Sequence, residues 1–379
     1  MAETLINGRV LTPRGLEAAT VVIEGDRITE VRPATIGEAG FDLAGGYLLP
    51  GFIDAQVNGG GGVLFTDTPT ADAIAAMGAA HRRFGTTGFL PTLISDDLDA
   101  VATAIRAVDE AIAAGAPGVL GIHIEGPFLS SDRKGIHDAS KFRILDDTAF
   151  ELLTSLRHGK TLVTLAPEAT TPQMIRRLVD AGVVVAAGHT NADYDTIRAA
   201  LDAGLSGFTH LFNAMSPLTS REPGAVGAAL EDEASWCGLI VDGRHVHPAV
   251  LRIALRARRR DRFMLVTDAL SSVGQAEKSF TVQGRAIRIV DGVAVDENGT
   301  IAGSDLDMAS AVRNLMQICA LPLADAGPLA AANPAAFLNL SEDLGAITPG
   351  RRADLTLVDA SVHVRRTWIG GSGEAPRLG

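Results

Sequence analysis

Four short apolar runs end in a residue that can hold a metal or move a proton: Gly121-Ile122-His123-Ile124-Glu125-Gly126-Pro127, Ala187-Gly188-His189, Phe208-Thr209-His210 and Val266-Thr267-Asp268. One carboxylate with two imidazoles is a ligand set for a divalent cation that keeps a coordination position open, as catalytic sites do and structural ones do not. A second carboxylate, Asp268, beside such a cation can take a proton from an attacking water and hand it to a leaving group. Taken singly, each residue has a plainer reading: a hydrogen-bonded core residue for Glu125, His189 or His210, a helix cap for Asp268. The first explanation would have to hold three times at equivalent strand ends. The second is weakened by Ser271, Ser272 and Gly274, which suggest a loop.

A buried strand that delivers one polar side chain at its carboxyl end is how a parallel α/β barrel builds its site. Candidate strands fall at 52–57, 87–93, 119–125, 162–166, 183–187, 207–211, 237–241 and 263–267, with helical patterns between most of them, among these 71–84, 97–114, 172–181, 194–203 and 248–258. Eight such βα units predict a (β/α)8 barrel of about 250 residues with insertions allowed. His189 and His210 are then one βα unit apart and converge at the barrel mouth. The run 280–301, broken by Asp291-Gly292 and Asn298-Gly299, reads as a β-ribbon inserted after the eighth strand. Period-two runs interrupted by Asn7-Gly8 and Gly25-Asp26 read as hairpins, and the same texture returns around Leu355 and Trp368. Neither piece can build a core alone, so residues 1–48 and 345–379 are expected to form one small β-sandwich domain beside a barrel of residues 49–344.

The chain of 379 residues is 46% hydrophobic but only 4% aromatic, so its core must come from Ala, Val, Leu and Ile. A net charge of −12 argues against nucleic acid and against anionic membrane surfaces as partners. No apolar run approaches the roughly 18–20 residues that span a bilayer. The start, Met1-Ala2-Glu3-Thr4, lacks a basic segment followed by an apolar one, and Cys237 and Cys319 form no disulfide framework; a cytoplasmic enzyme is expected. The Arg256–Arg262 stretch reads as the solvated cationic end of a helix rather than a phosphate site. The glycine run 59–62 reads either as an anion cradle or as a turn, and no nucleotide fingerprint occurs.

Several segments resemble the amidohydrolase superfamily, and within it the N-acetylglucosamine-6-phosphate deacetylases. They are Pro50-Gly51-Phe52-Ile53-Asp54-Ala55-Gln56-Val57-Asn58-Gly59, His123-Ile124-Glu125-Gly126-Pro127-Phe128, Lys134-Gly135-Ile136-His137, Ala187-Gly188-His189-Thr190-Asn191-Ala192, Thr209-His210-Leu211-Phe212-Asn213-Ala214-Met215, Val266-Thr267-Asp268 and a closing pattern with Gly350 and Ala353-Asp354-Leu355. The resemblance runs in order through nearly the whole chain. The Glu-Gly-Pro and His-Leu-Phe-Asn-Ala-Met segments are specific, whereas Pro-Gly-Phe-Ile-Asp marks only the superfamily. Many amidohydrolases carry His-x-His on the first strand; Gln56 and Asn58 stand there instead, which implies a vestigial second metal site and one divalent ion per subunit on Glu125, His189 and His210. Zinc, iron, manganese and cobalt all suit that set, with zinc favoured.

The resemblance further implies that Asp268 is the general base and acid and that His137, with the Ile136 backbone, meets the acetamido group. It implies Asn213, Ala214, Arg221 and His245 at the phosphate, with Arg221 acting across a homodimer interface, and Leu306 and Met308 walling the acetyl pocket. Without that context Arg221 reads as a surface residue and Leu306 and Met308 as helix-start packing. His245 and His247 have the spacing of a metal pair, but Pro248 should open a helix that turns His247 away. The expected activity is removal of the N-acetyl group of a phosphorylated amino sugar, N-acetylglucosamine 6-phosphate. Its rivals are an amidohydrolase acting on another amino sugar or an N-acyl amino acid, and a catalytically dead barrel serving as a scaffold.

Overall fold

Eight almost wholly buried parallel strands, Phe52–Val57, Thr86–Ile94, Gly121–Glu125, Lys160–Leu165, Val184–Ala187, Gly207–Phe208, Trp236–Leu239 and Phe263–Leu265, lie side by side in chain order in the computed structural model, which describes residues 2–376. Strands apolar on both faces are what a sheet covered by helices outside and packed side chains inside requires. The ladder is closed by the segment after the eighth strand. Val57 bridges Ala269 in parallel, the Asp268 N–H donates to the Gln56 carbonyl at 3.0 Å, and the Asn58 N–H donates to the Ala269 carbonyl at 2.9 Å. The barrel expected from the alternating pattern is therefore present, and its seam runs through Gln56, Asn58 and Asp268.

Helices Ala71–Arg82, Leu98–Ala113, Pro172–Asp180, Tyr194–Asp202 and Pro248–Ala257 occupy the expected intervals to within two residues. Local chemistry sets their starts: Thr70, Thr171 and Asp193 each accept a backbone N–H of the first turn, and Pro172 and Pro248 stand where a missing N–H costs nothing. The sixth, seventh and eighth strands end two or three residues sooner than expected, at Phe208, Leu239 and Leu265. The sixth stops at Phe208 because the chain turns left-handed at His210 (φ 31°), although Leu211 still donates to the Gly238 carbonyl at 2.8 Å.

After the eighth strand come four antiparallel strands, Ser279–Val282, Arg285–Val290, Val293–Val295 and Ile301–Ser304. Gln283-Gly284 and Asp291-Gly292, all at positive φ, make the tight two-residue hairpin turns that match strand twist. This ribbon packs Val282, Ile287 and Ala294 against Leu64, Ile94, Ile136 and Leu270 at the barrel mouth. Both chain ends meet in a second eight-stranded sheet, where Leu355–Val358 pairs antiparallel with Tyr47–Pro50. Leu5, Val10, Ile23, Leu48, Leu355 and Trp368 share its core.

Candidate metal centre and active site

Glu125 ends the third barrel strand, and His189 and His210 lie just beyond the fifth and sixth. His210 Nε2 stands 3.0 Å from Glu125 Oε1 and 3.2 Å from His189 Nε2, while His189 Nε2 stands 3.3 Å from Glu125 Oε1. Ligands about 2.0–2.1 Å from a tetrahedral ion stand about 3.3 Å from one another, so this triangle has the dimensions of three corners of such a site. The tautomer of His189 also fits: its Nδ1 bonds the Arg133 carbonyl at 2.8 Å, which leaves an Nε2 lone pair for a cation. Burial pushes the Glu125 carboxyl upward, but the bonds from His189 and His210 outweigh it and hold the group well below its ordinary value. Burial lowers His210, yet its bond to Glu125 leaves it raised. Both directions describe a pocket that draws in positive charge.

His189, His210 and Asp268 all have positive φ (48°, 31° and 52°), a conformation that side-chain-bearing residues adopt rarely and at a cost of about 1–3 kcal/mol. Such strain persists only where the surrounding structure imposes it, and here it falls on three of the four groups that could do chemistry.

Two amides, Gln56 of the first strand and Asn58 just past its end, face the carboxylates. Gln56 Nε2 lies 3.2 Å from both Glu125 oxygens and from Asp268 Oδ1, and Asn58 Nδ2 donates to Asp268 Oδ1 at 2.6 Å. They act as donors, the reverse of what a cation asks of a ligand, and they spread compensating positive potential over two buried acids. Burial, with the Glu125 charge adding to it, pushes the Asp268 carboxyl up to about 6. Behind them Asp54 clamps the barrel seam: it accepts the Thr267 hydroxyl at 2.6 Å and the N–H groups of Thr267 and Gln56 at 3.2 Å each. The residue next to Asp268 is thereby tied to the strand that carries Gln56.

The His137 ring packs against that of His189, with centroids 4.4 Å apart and the planes tilted by 58°. Its Nδ1 accepts the backbone N–H of Ser95 at 3.2 Å and lies 2.8 Å from the Ser95 hydroxyl. Burial, and then the neighbouring His189, holds His137 well below the ordinary imidazole value. A neutral ring that accepts at Nδ1 carries its proton on Nε2. The Ile136 carbonyl is engaged by Arg285 of the ribbon at 2.8 Å.

Glu125, His137, His189, His210 and Asp268 line one cavity of about 540 Å³, which Asn58, Ile136, Asn213, Ala214 and His245 also line, with Val282 and Ile301 of the ribbon on its wall. Three expected substrate residues are not among its lining in the single chain: Arg221 is exposed, while Leu306 and Met308 are buried in the main core. His247 caps the helix Pro248–Ala257, accepting the Ala249 N–H at 3.1 Å, and is turned out to solvent. The glycine run 59–62 is a turn rather than an anion cradle. Gly59, Gly61 and Gly62 spend their N–H groups on the carbonyls of Ala269, Val273 and Ser271.

Several supporting residues escape a reading of strand ends alone. Ser95, just beyond the second strand, does follow the same rule of a polar residue closing an apolar run. The Arg133 carbonyl carries no sequence signal, because any residue type offers one. Below the site His123 lies between Thr92 and Thr164, at 3.2 and 2.7 Å, and Thr164 meets Thr209 at 2.6 Å. Burial takes His123 down to about 4, so the ring is a neutral spacer in a closed hydrogen-bond chain.

Comparison with known proteins agrees with this geometry. The amidohydrolase family model matches residues 47–373. An N-acetylgalactosamine-6-phosphate deacetylase of Shewanella sp. (strain ANA-3) is 42% identical over 98% of this chain and 94% of its own length. An N-acetylglucosamine-6-phosphate deacetylase of Haemophilus influenzae is 34% identical over 98% and 99%. The crystal structure of N-acetylglucosamine-6-phosphate deacetylase from Pasteurella multocida superposes with a TM-score of 0.95 at 32% identity, covering 99% of this chain and 100% of that one. A mutant of the Mycobacterium smegmatis enzyme in complex with N-acetyl-D-glucosamine-6-phosphate gives 0.90 at 34% identity, covering 98% and 99%. The chain belongs to the amidohydrolase family, in company with the amino-sugar-phosphate deacetylases to which it is similar.

Proposed function

We propose that this enzyme hydrolyses the N-acetyl group of N-acetylglucosamine 6-phosphate, giving glucosamine 6-phosphate and acetate in amino-sugar catabolism. The observation that carries this reading is the Glu125–His189–His210 triangle, with edges of 3.0–3.3 Å, opening into the same cavity as Asp268 and His137. When bound there, a divalent cation, zinc by preference, would supply Lewis acidity and lower the pKa of a water to about 7.

The chain's own residues do the rest. Asp268, held by Asn58 and Gln56, accepts the proton of the attacking water as the new C–O bond forms. It then returns that proton to the amine nitrogen, so that the C–N bond breaks in preference to expulsion of hydroxide. His137 donates its Nε2–H to the acetyl oxygen, whose negative charge grows in the transition state. Asn213, Ala214 and His245 take the phosphate end. Arg221 joins them from a neighbouring subunit of a homodimer, and Leu306 and Met308 support the acetyl pocket from behind.

A second reading, the galacto epimer as the preferred substrate, is favoured by the Shewanella relative at 42% identity. Both readings are tested by measuring kcat/KM for acetate release from four sugars, the gluco and galacto N-acetylhexosamines with and without the 6-phosphate. A preference of at least about 100-fold for the phosphorylated gluco compound supports the proposal, on the scale of a charge-assisted anion contact. A reversed order between epimers establishes the second reading, and no release from any of the four overturns both.

A further inference from the structure

The turn after the seventh strand holds a buried acid–imidazole pair in which His245 lines the cavity and the acid, Asp242, does not. We propose that Asp242 is a positioning residue: it locks the His245 ring so that Nε2 alone faces the cavity, as the contact for the anionic end of the substrate. The proposal rests on the phosphorylated-sugar reading of that cavity and adds a residue to it. Asp242 Oδ2 lies 2.5 Å from His245 Nδ1, while Oδ1 accepts the N–H groups of Arg244 and His245 at 2.8 and 2.9 Å. Gly243, at φ 75°, lets the chain double back over the carboxylate, and Asn314 pins the strand end through the Val241 carbonyl at 2.8 Å. The two side chains are 5% and 3% exposed.

With Nδ1 spent, the ring has one polar atom left, and Nε2 is buried with no partner among the described residues although His245 lines the cavity. Leaving such a group unmet is unfavourable, and native structures avoid it unless something else meets the atom. Burial pushes the Asp242 carboxyl upward, but His245 and the two N–H groups hold it below its ordinary value, so it is an anion beside the ring. Because Nδ1–H is given to Asp242, Nε2 offers an N–H to an arriving anion only in the doubly protonated ring, a cation whose charge the Asp242 carboxylate balances. Facing the same space are Asp268 and His210 from the barrel and Arg133 and Lys134 from the loop after the third strand.

The test is a kinetic cycle of Asp242→Asn, His245→Gln and the double variant, each assayed on N-acetylglucosamine with and without its 6-phosphate. Asp242→Asn should raise KM for the phosphorylated sugar roughly tenfold with kcat within about threefold, as expected for loss of one charge-assisted contact. It should leave kcat/KM for the unphosphorylated sugar unchanged, and the double variant should be no worse than His245→Gln. Equal losses on both sugars, an unchanged KM, or additive losses in the double variant would overturn the proposal. Should the Asn variant fail to fold, Asp242→Glu, which keeps the charge and shifts it by one methylene, is read by the same contrast. A wild type that does not distinguish the two sugars removes the substrate reading itself, and with it this proposal, before any variant is made.

Discussion

The backbone N–H of Ser95 donates to Nδ1 of His137 at 3.2 Å, and this one contact decides which nitrogen of the ring carries the proton. Because the donor is main chain, the tautomer survives substitution at Ser95. With Nδ1 occupied, Nε2–H is the donor left for an acetyl oxygen. His137→Gln should therefore lower kcat by about 10²–10³, the range for loss of one preorganised donor to a developing oxyanion. Metal content and thermal unfolding should stay close to wild type. A variant that loses activity only by losing its metal would assign His137 to the metal site instead.

In the proposed mechanism Asp268 takes part in two proton transfers, so removing its charge should be more damaging. Asp268→Asn should retain metal and fold yet lose about 10²–10⁴ in turnover, measured by acetate release. The wild type should show an acid limb, since only the ionised carboxylate accepts a proton. Burial places that limb near pH 6 in the metal-free site, and the positive charge of a bound cation moves it lower. Activity of the metal-loaded enzyme thus falls on the acid side of a midpoint below 6, and the limb should vanish from the residual activity of the Asn variant. An unchanged limb in that variant would place the titrating group elsewhere.

Asp54 gives a stability prediction of the opposite sign from an ordinary ion-paired acid. Burial pushes its carboxyl up to about 7, above the unfolded range near 4. Between those values the unfolded chain has released the proton that the folded chain still holds, so this group's contribution to stability declines as pH rises from about 4 to about 7. Asp54→Asn should flatten that part of the denaturant-midpoint profile relative to wild type. Parallel profiles for the two proteins across the window would rule this out.

A cation bound only by the folded chain must stabilise it by mass action. Chelation should lower the unfolding midpoint, and add-back of zinc, manganese or cobalt should restore it. Glu125→Ala or His189→Ala should be insensitive to both treatments in a calorimetric or fluorescence melt. Equal midpoints for wild type with and without chelator would argue against a metal on this triangle.

Much of the barrel was legible in the sequence because its strands are buried on both faces and its helices carry their own caps. Glu125, His189, His210 and Asp268 stood out because each interrupts apolarity at a strand end. What stayed hidden depends on contacts between distant segments. Arg258 read as part of a solvated cationic helix end, yet it is buried, donating to the carbonyls of Ala229 and Ser235 with its guanidinium 5.6 Å from the Phe263 ring. Gln56 and Asn58 were legible as failed metal ligands, but their service as donors to two acids needs the seam to be closed. The early end of the sixth strand follows from a left-handed turn at His210, a residue whose type gives no warning of it.

Acetate release from N-acetylglucosamine 6-phosphate by metal-depleted enzyme, before and after one equivalent of divalent cation, asks whether the Glu125–His189–His210 triangle works through a metal. Almost no release before and restored turnover after are expected, with Glu125→Ala, His189→Ala and His210→Ala unresponsive. Full activity in enzyme shown to be free of metal, or restoration in any of those three variants, would contradict it.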